Sequence, residues 1–205
     1  IGAMILGVEE KEIDSSVRQV SKTVNFAILY GGGRNAITDQ LKVSNTEADF
    51  IISRFFKAFP KVHEWLESTI TFAKENGYVE SPFGFRRHLN FDLAKHQYEV
   101  SHLERQATNS PVQGTAATIL NQSHIILEEE YQQDPMRPII CNSLHDALYF
   151  YCRQETWERD KDHIRAIMER PLKQFDGLSA HVKISCGTRW EDHSLLLEED
   201  KGVSE

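Results

Sequence analysis

Cysteine is scarce in this chain. Cys141, Cys152 and Cys186 are an odd number, and no two of them have CxxC spacing. A disulfide framework and a zinc site are therefore not expected; the thiols read as small buried hydrophobes in a reducing compartment. Long apolar runs are also missing. Nothing approaches the ~20 residues needed to span a bilayer, so a membrane is not expected as a partner. The opening IGAMILGV is too short for that and has no basic flank of the secretory kind. The first residue is Ile1, not Met, which predicts a segment upstream of it. There is no internal repeat and no long low-complexity segment. Positive charge is in deficit, with 23 Lys+Arg against 31 Asp+Glu, a net charge of −8. The deficit is uneven. Residues 1–110 hold 13 basic against 14 acidic side chains, and residues 111–205 hold 10 against 17. A local basic face can still hold phosphates on such a chain, so charge alone neither supports nor excludes a nucleic-acid partner.

What is present is ordinary globular material: 205 residues, 40% hydrophobic and 26% charged, enough for one or two domains with a sizeable core. Asp14, Ser15 and Ser16 predict a helix start, and Val17–Tyr30 carries apolar residues at helical spacing until Gly31, Gly32 and Gly33 stop it. A short helix is expected over Asn35–Lys42. Ser44, Asn45 and Thr46 read as the cap of a helix running to about Ala58. Pro60 opens another to Gly77, with Val62, Trp65, Leu66 and Ile70 as its apolar stripe. Tyr78–Leu89 reads as a hairpin around Pro82, Phe83 and Gly84. A helix follows over Ala94–Thr108, Pro111 is expected to break the pattern, and a further helix runs over Val112–Tyr131. Pro138–Leu144 and Ala147–Cys152 are β-rich segments joined by His145 and Asp146. A helix over Glu155–Phe175 and a strand over Val182–Cys186 follow, and the acidic tail after Trp190 reads as loosely held. Helices with a small antiparallel sheet give an α+β class.

The first helix carries the most chemistry. Arg18, Lys22, Phe26 and Tyr30 are spaced by four. Each step of four turns a helix by ~400°, so the residues drift slowly around one broad face about 18 Å long. Two cations lie toward one end and two rings toward the other. Cations neutralise phosphate and aromatic planes stack on bases, so such a face suits a nucleoside triphosphate. On spacing alone, solvated cations with core aromatics remain the plainer reading. The segment R-x3-K-x2-N-F-x3-Y-G is similar to the nucleotide-binding fingers helix of family A DNA polymerases, the bacterial DNA polymerase I family. The resemblance implies that Arg18 and Lys22 contact the incoming triphosphate and that Lys22 is the proton donor to the pyrophosphate leaving group. It further implies that Phe26 packs near the sugar and Tyr30 by the nascent base pair. A Phe at position 26 resembles the family members that discriminate strongly against dideoxynucleotides.

Other segments extend the resemblance. Leu144, His145 and Asp146 join two apolar β-rich segments, and a carboxylate at a hairpin turn suits a hard oxygen ligand for Mg²⁺, although Asp is common in turns. The segment resembles the family's third palm motif, which implies that Asp146 is a catalytic, metal-binding aspartate and that His145 lies near the primer terminus. Ala147 stands where that motif carries a Glu, so a third carboxylate is missing while the metal ligand is kept. Glu104–Ala117 looks like the family's ERxxxNxPxQGTAA segment; by composition alone it is equally a polar helix face beside a close-packing patch. The resemblance assigns Arg105, Asn109 and Gln113, with His145, to the template–primer DNA. Gly77–Arg87 resembles the family's GYVET…GRRR hairpin, with Phe85 where an Arg is often found, and Gly187–Trp190 looks like its closing Gly-x-x-Trp. The matches run from about Ala3 to Trp190 in family order.

The resemblance implies a fingers subdomain over residues 1–100 and the C-terminal part of a palm over 101–205. It implies template-directed addition of deoxynucleotides to a primer 3′ end by two-metal phosphoryl transfer with Mg²⁺. The partners would be template–primer DNA and a dNTP. A DYSxxELR-like stretch carrying the second palm aspartate does not occur in these residues. An upstream segment or subunit bearing the thumb and that motif is therefore expected as a further partner. The compartment implied is the cytoplasm of a bacterial or phage-infected cell, or an organelle matrix. Two rivals stand beside this reading: a single-subunit RNA polymerase, and a non-catalytic polymerase-like subunit that only binds DNA.

Overall fold

A computed structural model describes residues 15–187, with side chains from residue 19 onward. The architecture is α+β, and the chain divides into two compact units, 1–115 and 116–205.

The first unit opens with α1, Ser15–Leu29. Ser21, Val24, Ala27 and Ile28 line its buried side. This is the period expected of a helix with one apolar stripe. Gly31, in a left-handed conformation, ends α1, and α2 follows at Gly33–Leu41. Helix α3, Asn45–Ala58, begins with a reciprocal cap: Ser44 Oγ accepts from the Glu47 amide, and Glu47 Oε2 accepts from the Ser44 amide at 2.8 Å. Helix α4, Pro60–Asn76, has proline in its first turn and Gly77 at its end. Ile37, Ala48 and Phe55 join the buried side of α1 in one apolar cluster. The expected stripe of α4 is only partly realised. Val62 packs on this cluster, whereas Trp65 is exposed and Ala73 is the helix's fully buried residue.

A hairpin follows, β1 at Tyr78–Glu80 and β2 at Arg86–His88, antiparallel with Val79 opposite Arg87. Ala73, Val79 and Leu89 form a second cluster with Ala107, a residue of helix α5. Helix α5 runs unbroken over Gln97–Tyr131 with Pro111 inside it, which corrects the expected break. Proline removes one intrahelical donor and crowds the preceding turn. Here Pro111 is buried, and nearby hydroxyls serve the carbonyls of that turn. Ser110 Oγ donates to the Gln106 carbonyl at 2.6 Å and Thr108 Oγ1 to the Arg105 carbonyl at 3.2 Å. Packing overrides the local preference.

The second unit is built on the C-terminal half of α5, a hairpin and helix α6, Trp157–Met168. Strands β3, Ile139–Leu144, and β4, Ala147–Tyr151, pair antiparallel from Ile139 opposite Tyr151 to Leu144 opposite Ala147. Ile140, Leu148 and Phe150 pack on a cluster of Leu127, Tyr131 and Ile164. The register shifts between Ile140 and Asn142, leaving Cys141 unpaired and exposed; its thiol donates to the Tyr149 carbonyl at 3.3 Å. That thiol is therefore not the buried hydrophobe expected, and Cys152 and Cys186 are only half-buried. Asp160, 0% exposed, accepts from Thr156 Oγ1 at 2.6 Å and from Arg159 Nε at 2.9 Å. Arg159 also reaches Asp134 at 2.9 Å, which ties the turn before β3 to α6.

Two expectations fail near the end of this unit. Helix α6 stops at Met168 rather than at Phe175. Pro171 cannot continue it, and Leu172 and Leu178 form an isolated bridge around a single 3-10 turn at Lys173–Phe175. Residues 182–186 form no strand, because no described segment pairs with them; the Val182 amide donates to Glu169 Oε1 at 2.8 Å instead. The helix start at Asp14, the match at Trp190 and the tail after it lie outside the described residues.

Candidate functional site

Burial sorts the residues of α1. The apolar residues fix which side faces the core, and steps of four from Lys22 place Lys22, Phe26 and Tyr30 about 40° apart on the opposite side. Phe26 is 46% exposed and Tyr30 36%, so neither ring belongs to the core. The rings stack with centroids 5.6 Å apart and planes 24° apart. Lys22 Nζ lies 5.6 Å from the Phe26 centroid, within cation–π range, and pairs with no described carboxylate. The arrangement is a column of ammonium, ring and ring along one open helix face. Arg18 belongs to the same helix by position, but its side chain lies outside those described.

The column ends at a contact that local sequence does not reveal. Arg105 of α5 crosses the turn after α1. A Cβ on Gly31 would lie 2.7 Å from Arg105 Cγ, and Gly31 has φ +68°, so only glycine both adopts that backbone and admits the arginine. One turn further along α5, Asn109 Nδ2 donates to the Tyr30 carbonyl at 3.4 Å. Its Oδ1 is buried and accepts no hydrogen bond from the described residues. An orphaned buried acceptor costs ~1–3 kcal/mol, so this amide is poised to take a donor. Gln113 lies on the same helix and is exposed. The Phe85 ring sits 3.1 Å from where a Cβ on Gly114 would be. This is what the residue in place of the usual Arg does: it packs the β1–β2 hairpin onto α5. Lys22, Phe26, Tyr30, Arg105 and Asn109 are thus neighbours within residues 1–115.

The second unit presents His145 and Asp146 alone at the tip of the β3–β4 hairpin, both exposed. His145 has φ +55°, a conformation a non-glycine residue adopts at a cost, and one in which His is enriched. A two-residue turn between paired strands holds Asp146 rigidly, and its carboxylate makes no hydrogen bond or ion pair to another described residue. One exposed carboxylate on a stiff support fits a hard cation as a single ligand. Among the described residues no group of three or more metal-ligating side chains comes together, so a full coordination shell is not supplied by them. Ala147, in place of the motif's Glu, is the first residue of β4 and adds no oxygen. No helix among the described residues is long and apolar enough to cross a membrane.

The chain is similar in sequence and fold to known proteins. The thermostable DNA polymerase I of Thermus filiformis is 32% identical over 191 residues, 92% of this chain and 22% of that protein. The DNA polymerase I of Treponema pallidum is 29% identical over 190 residues, 93% of this chain and 19% of that one. The chain therefore spans about a fifth of the length of these curated relatives. Among solved structures, the POL domain of Pol1 from M. smegmatis, in complex with DNA primer-template and dNTP, superposes with a TM-score of 0.77. It has 25% sequence identity and covers 82% of this chain and 30% of that one. The family model of DNA polymerase family A matches residues 1–192, and the chain belongs to that family.

Proposed function

We propose that the chain is the fingers and C-terminal palm part of a DNA-directed DNA polymerase, fingers over about 1–100 and palm over about 101–205. It would add deoxynucleotides to a primer 3′ end in DNA replication or repair. The observation that carries this reading is the open column of Lys22, Phe26 and Tyr30. A triphosphate needs a cation that is not already neutralised, and a base needs a ring face that is not already in the core; Lys22 offers the one, and Phe26 and Tyr30 offer the other.

In the proposed mechanism, Arg18 and Lys22 hold the triphosphate. Phe26 bounds the sugar, and Tyr30 flanks the nascent base pair. Lys22 gives its proton to the pyrophosphate oxygen as the α-phosphorus bond to it breaks, a general-acid contribution typically worth ~10²–10⁴ in rate. Arg105, Asn109 and Gln113 take the template–primer duplex at its minor-groove edges and sugars, where the Asn109 acceptor finds a donor. His145 lies by the primer terminus. Asp146 would be one ligand of a Mg²⁺ pair, which when bound neutralises charge on the reacting phosphate oxygens. The second palm aspartate would come from a segment carrying the motif that these residues lack, and that segment is a proposed partner together with DNA and dNTP. Closing of the α1 face over a correct base pair would add selectivity by induced fit.

Asp146→Asn tests the proposal in single-nucleotide primer extension by the chain together with the segment bearing the other aspartate. Loss of extension with primer–template affinity retained is expected. Extension at the unmodified rate contradicts it. A specific observation keeps a second reading in view: Ala147 removes a carboxylate, as a non-catalytic DNA-binding subunit could tolerate. That reading predicts DNA binding without extension in the unmodified assembly.

A further inference from the structure

A cavity of about 600 Å³ lies at the end of the β3–β4 hairpin remote from Asp146, wholly within residues 116–205. Gln133, Asp134, Arg137, Ile139, Tyr151 and Arg153 line it. Ile139 and Tyr151 are directly opposite in the strand register, and the next pair, Ile140 and Phe150, packs on the core. Side chains alternate along a strand, so Ile139 and Tyr151 stand on the other face of the hairpin. They are 53% and 70% exposed, an apolar pair that no described residue covers. The carboxylates at this wall are engaged: Asp134 with Arg159 at 2.9 Å, and Glu128 with Arg137 at 3.0 Å. Arg153 is exposed and pairs with no described carboxylate, so its guanidinium is open to an incoming one. The chain returns to this place at Cys186. Burial first, and then the Glu158 carboxylate of α6, push the Cys186 thiol up. The thiol of Cys152, raised chiefly by burial, feels Cys186 as well. Cys186 thus lies near the strand end that carries Tyr151 and Arg153.

We propose that this cavity is the docking site of residues 195–200 of the same chain, with their leucines on Ile139 and Tyr151 and their carboxylates on Arg153. Three observations choose this occupant. Its chemistry matches: Leu195, Leu196 and Leu197 are followed at once by Glu198, Glu199 and Asp200, an apolar block and then an acidic one. The wall presents an apolar pair and then an unpaired guanidinium, which carboxylates engage in bidentate fashion. Its reach suffices, because the eight residues from Gly187 to Leu195 span up to ~28 Å when extended. Its tether helps, since a short flexible link holds a segment at an effective concentration of about millimolar, and contacts too weak to hold a separate peptide then suffice. Family membership does not account for these residues, because the family model ends at residue 192. Ile139 and Tyr151 are also the strand pair farthest from the hairpin turn, so acid docked there stays clear of Asp146 and of any phosphate near it. The proposal does not depend on the polymerase reading.

The test is chemical cross-linking of the full chain. Arg153→Lys keeps the charge and supplies an amine at the cavity wall. A carbodiimide joins an amine to a carboxylate with no spacer, so position 153 should couple to Glu198, Glu199 or Asp200 within one chain, as read by peptide mass. Leu195→Ser, Leu196→Ser and Leu197→Ser, introduced together into that variant, keep the tether and the carboxylates. They should lower the coupling at least about fivefold, since each leucine loses its apolar burial. Coupling of position 153 only to neighbours such as Glu155, or coupling undiminished by the three serines, overturns the proposal. Coupling only between two chains overturns it in favour of a second copy. Coupling that disappears when the segment bearing the other palm aspartate joins the chain overturns it in favour of that segment.

Discussion

At the scale of single residues, small differences in chemistry carry distinct consequences. Phe26 bounds the proposed sugar site with a bare ring edge. Phe26→Tyr puts a hydroxyl there, and competition between dideoxy- and deoxynucleotides should shift toward the dideoxy form; an unchanged ratio counts against the assignment of Phe26. Cysteine reactivity gives a check that is independent of DNA. Burial first, and then the nearby Asp160 carboxylate, push the Cys152 thiol up to about 11, whereas Cys141 sits exposed on β3. The thiolate is the nucleophile, so a thiol-reactive probe at neutral pH should label Cys141 well before Cys152. Mapping the labelled peptides by mass decides it, and faster labelling of Cys152 contradicts the packing described for α6 and β4.

At the scale of elements, caps and turns dominate. Ser44→Ala removes the hydroxyl that serves the Glu47 amide and should cost ~1 kcal/mol of unfolding free energy in a denaturant titration. The same cap gives a pH dependence. Hydrogen bonds from the Ser44 amide, then its hydroxyl, lower the Glu47 pKa in the folded chain. A lowered folded-state value means that the stabilisation is present above the unfolded carboxylate range and is lost as pH falls through the folded value. Glu47→Gln, which has no carboxyl to titrate, should therefore flatten the loss of stability on acidification through the carboxylate range, while Ser44→Ala, which keeps the amide, should flatten it less; an unaltered acid limb in Glu47→Gln argues against the cap.

The elements that were legible in the sequence are those whose causes are local. Ser44, Pro60 and Gly77 act within a turn of themselves, and the drift of Lys22, Phe26 and Tyr30 follows from helical geometry alone. The break expected at Pro111 does not occur because burial of that proline in the packed helix, which no local pattern shows, outweighs its local preference; the Ser110 and Thr108 hydroxyls only bond back within their own turn. The strand expected over Val182–Cys186 required a partner strand, and alternation within one segment cannot say whether a partner is present. The crossing of Arg105 over Gly31 was equally out of reach. Two residues 74 positions apart leave no periodic trace, and Gly31 in the sequence reads only as a helix stop.

At the scale of the whole molecule, the proposed chemistry is divided: cation and rings in residues 1–115, carboxylate in 116–205. The net charge of −8 is no obstacle to a DNA partner, since the surplus acid lies mainly after residue 110, away in sequence from Lys22 and Arg105. In the proposed reaction the open face of α1 receives the triphosphate and Lys22 supplies a proton as pyrophosphate leaves. The most direct measurement is single-turnover primer extension with Lys22→Ala, in the chain joined by the segment bearing the other palm aspartate and at saturating dNTP. A fall in the maximal rate of at least ~10²-fold is expected, with primer–template affinity unchanged. An unchanged maximal rate would contradict it.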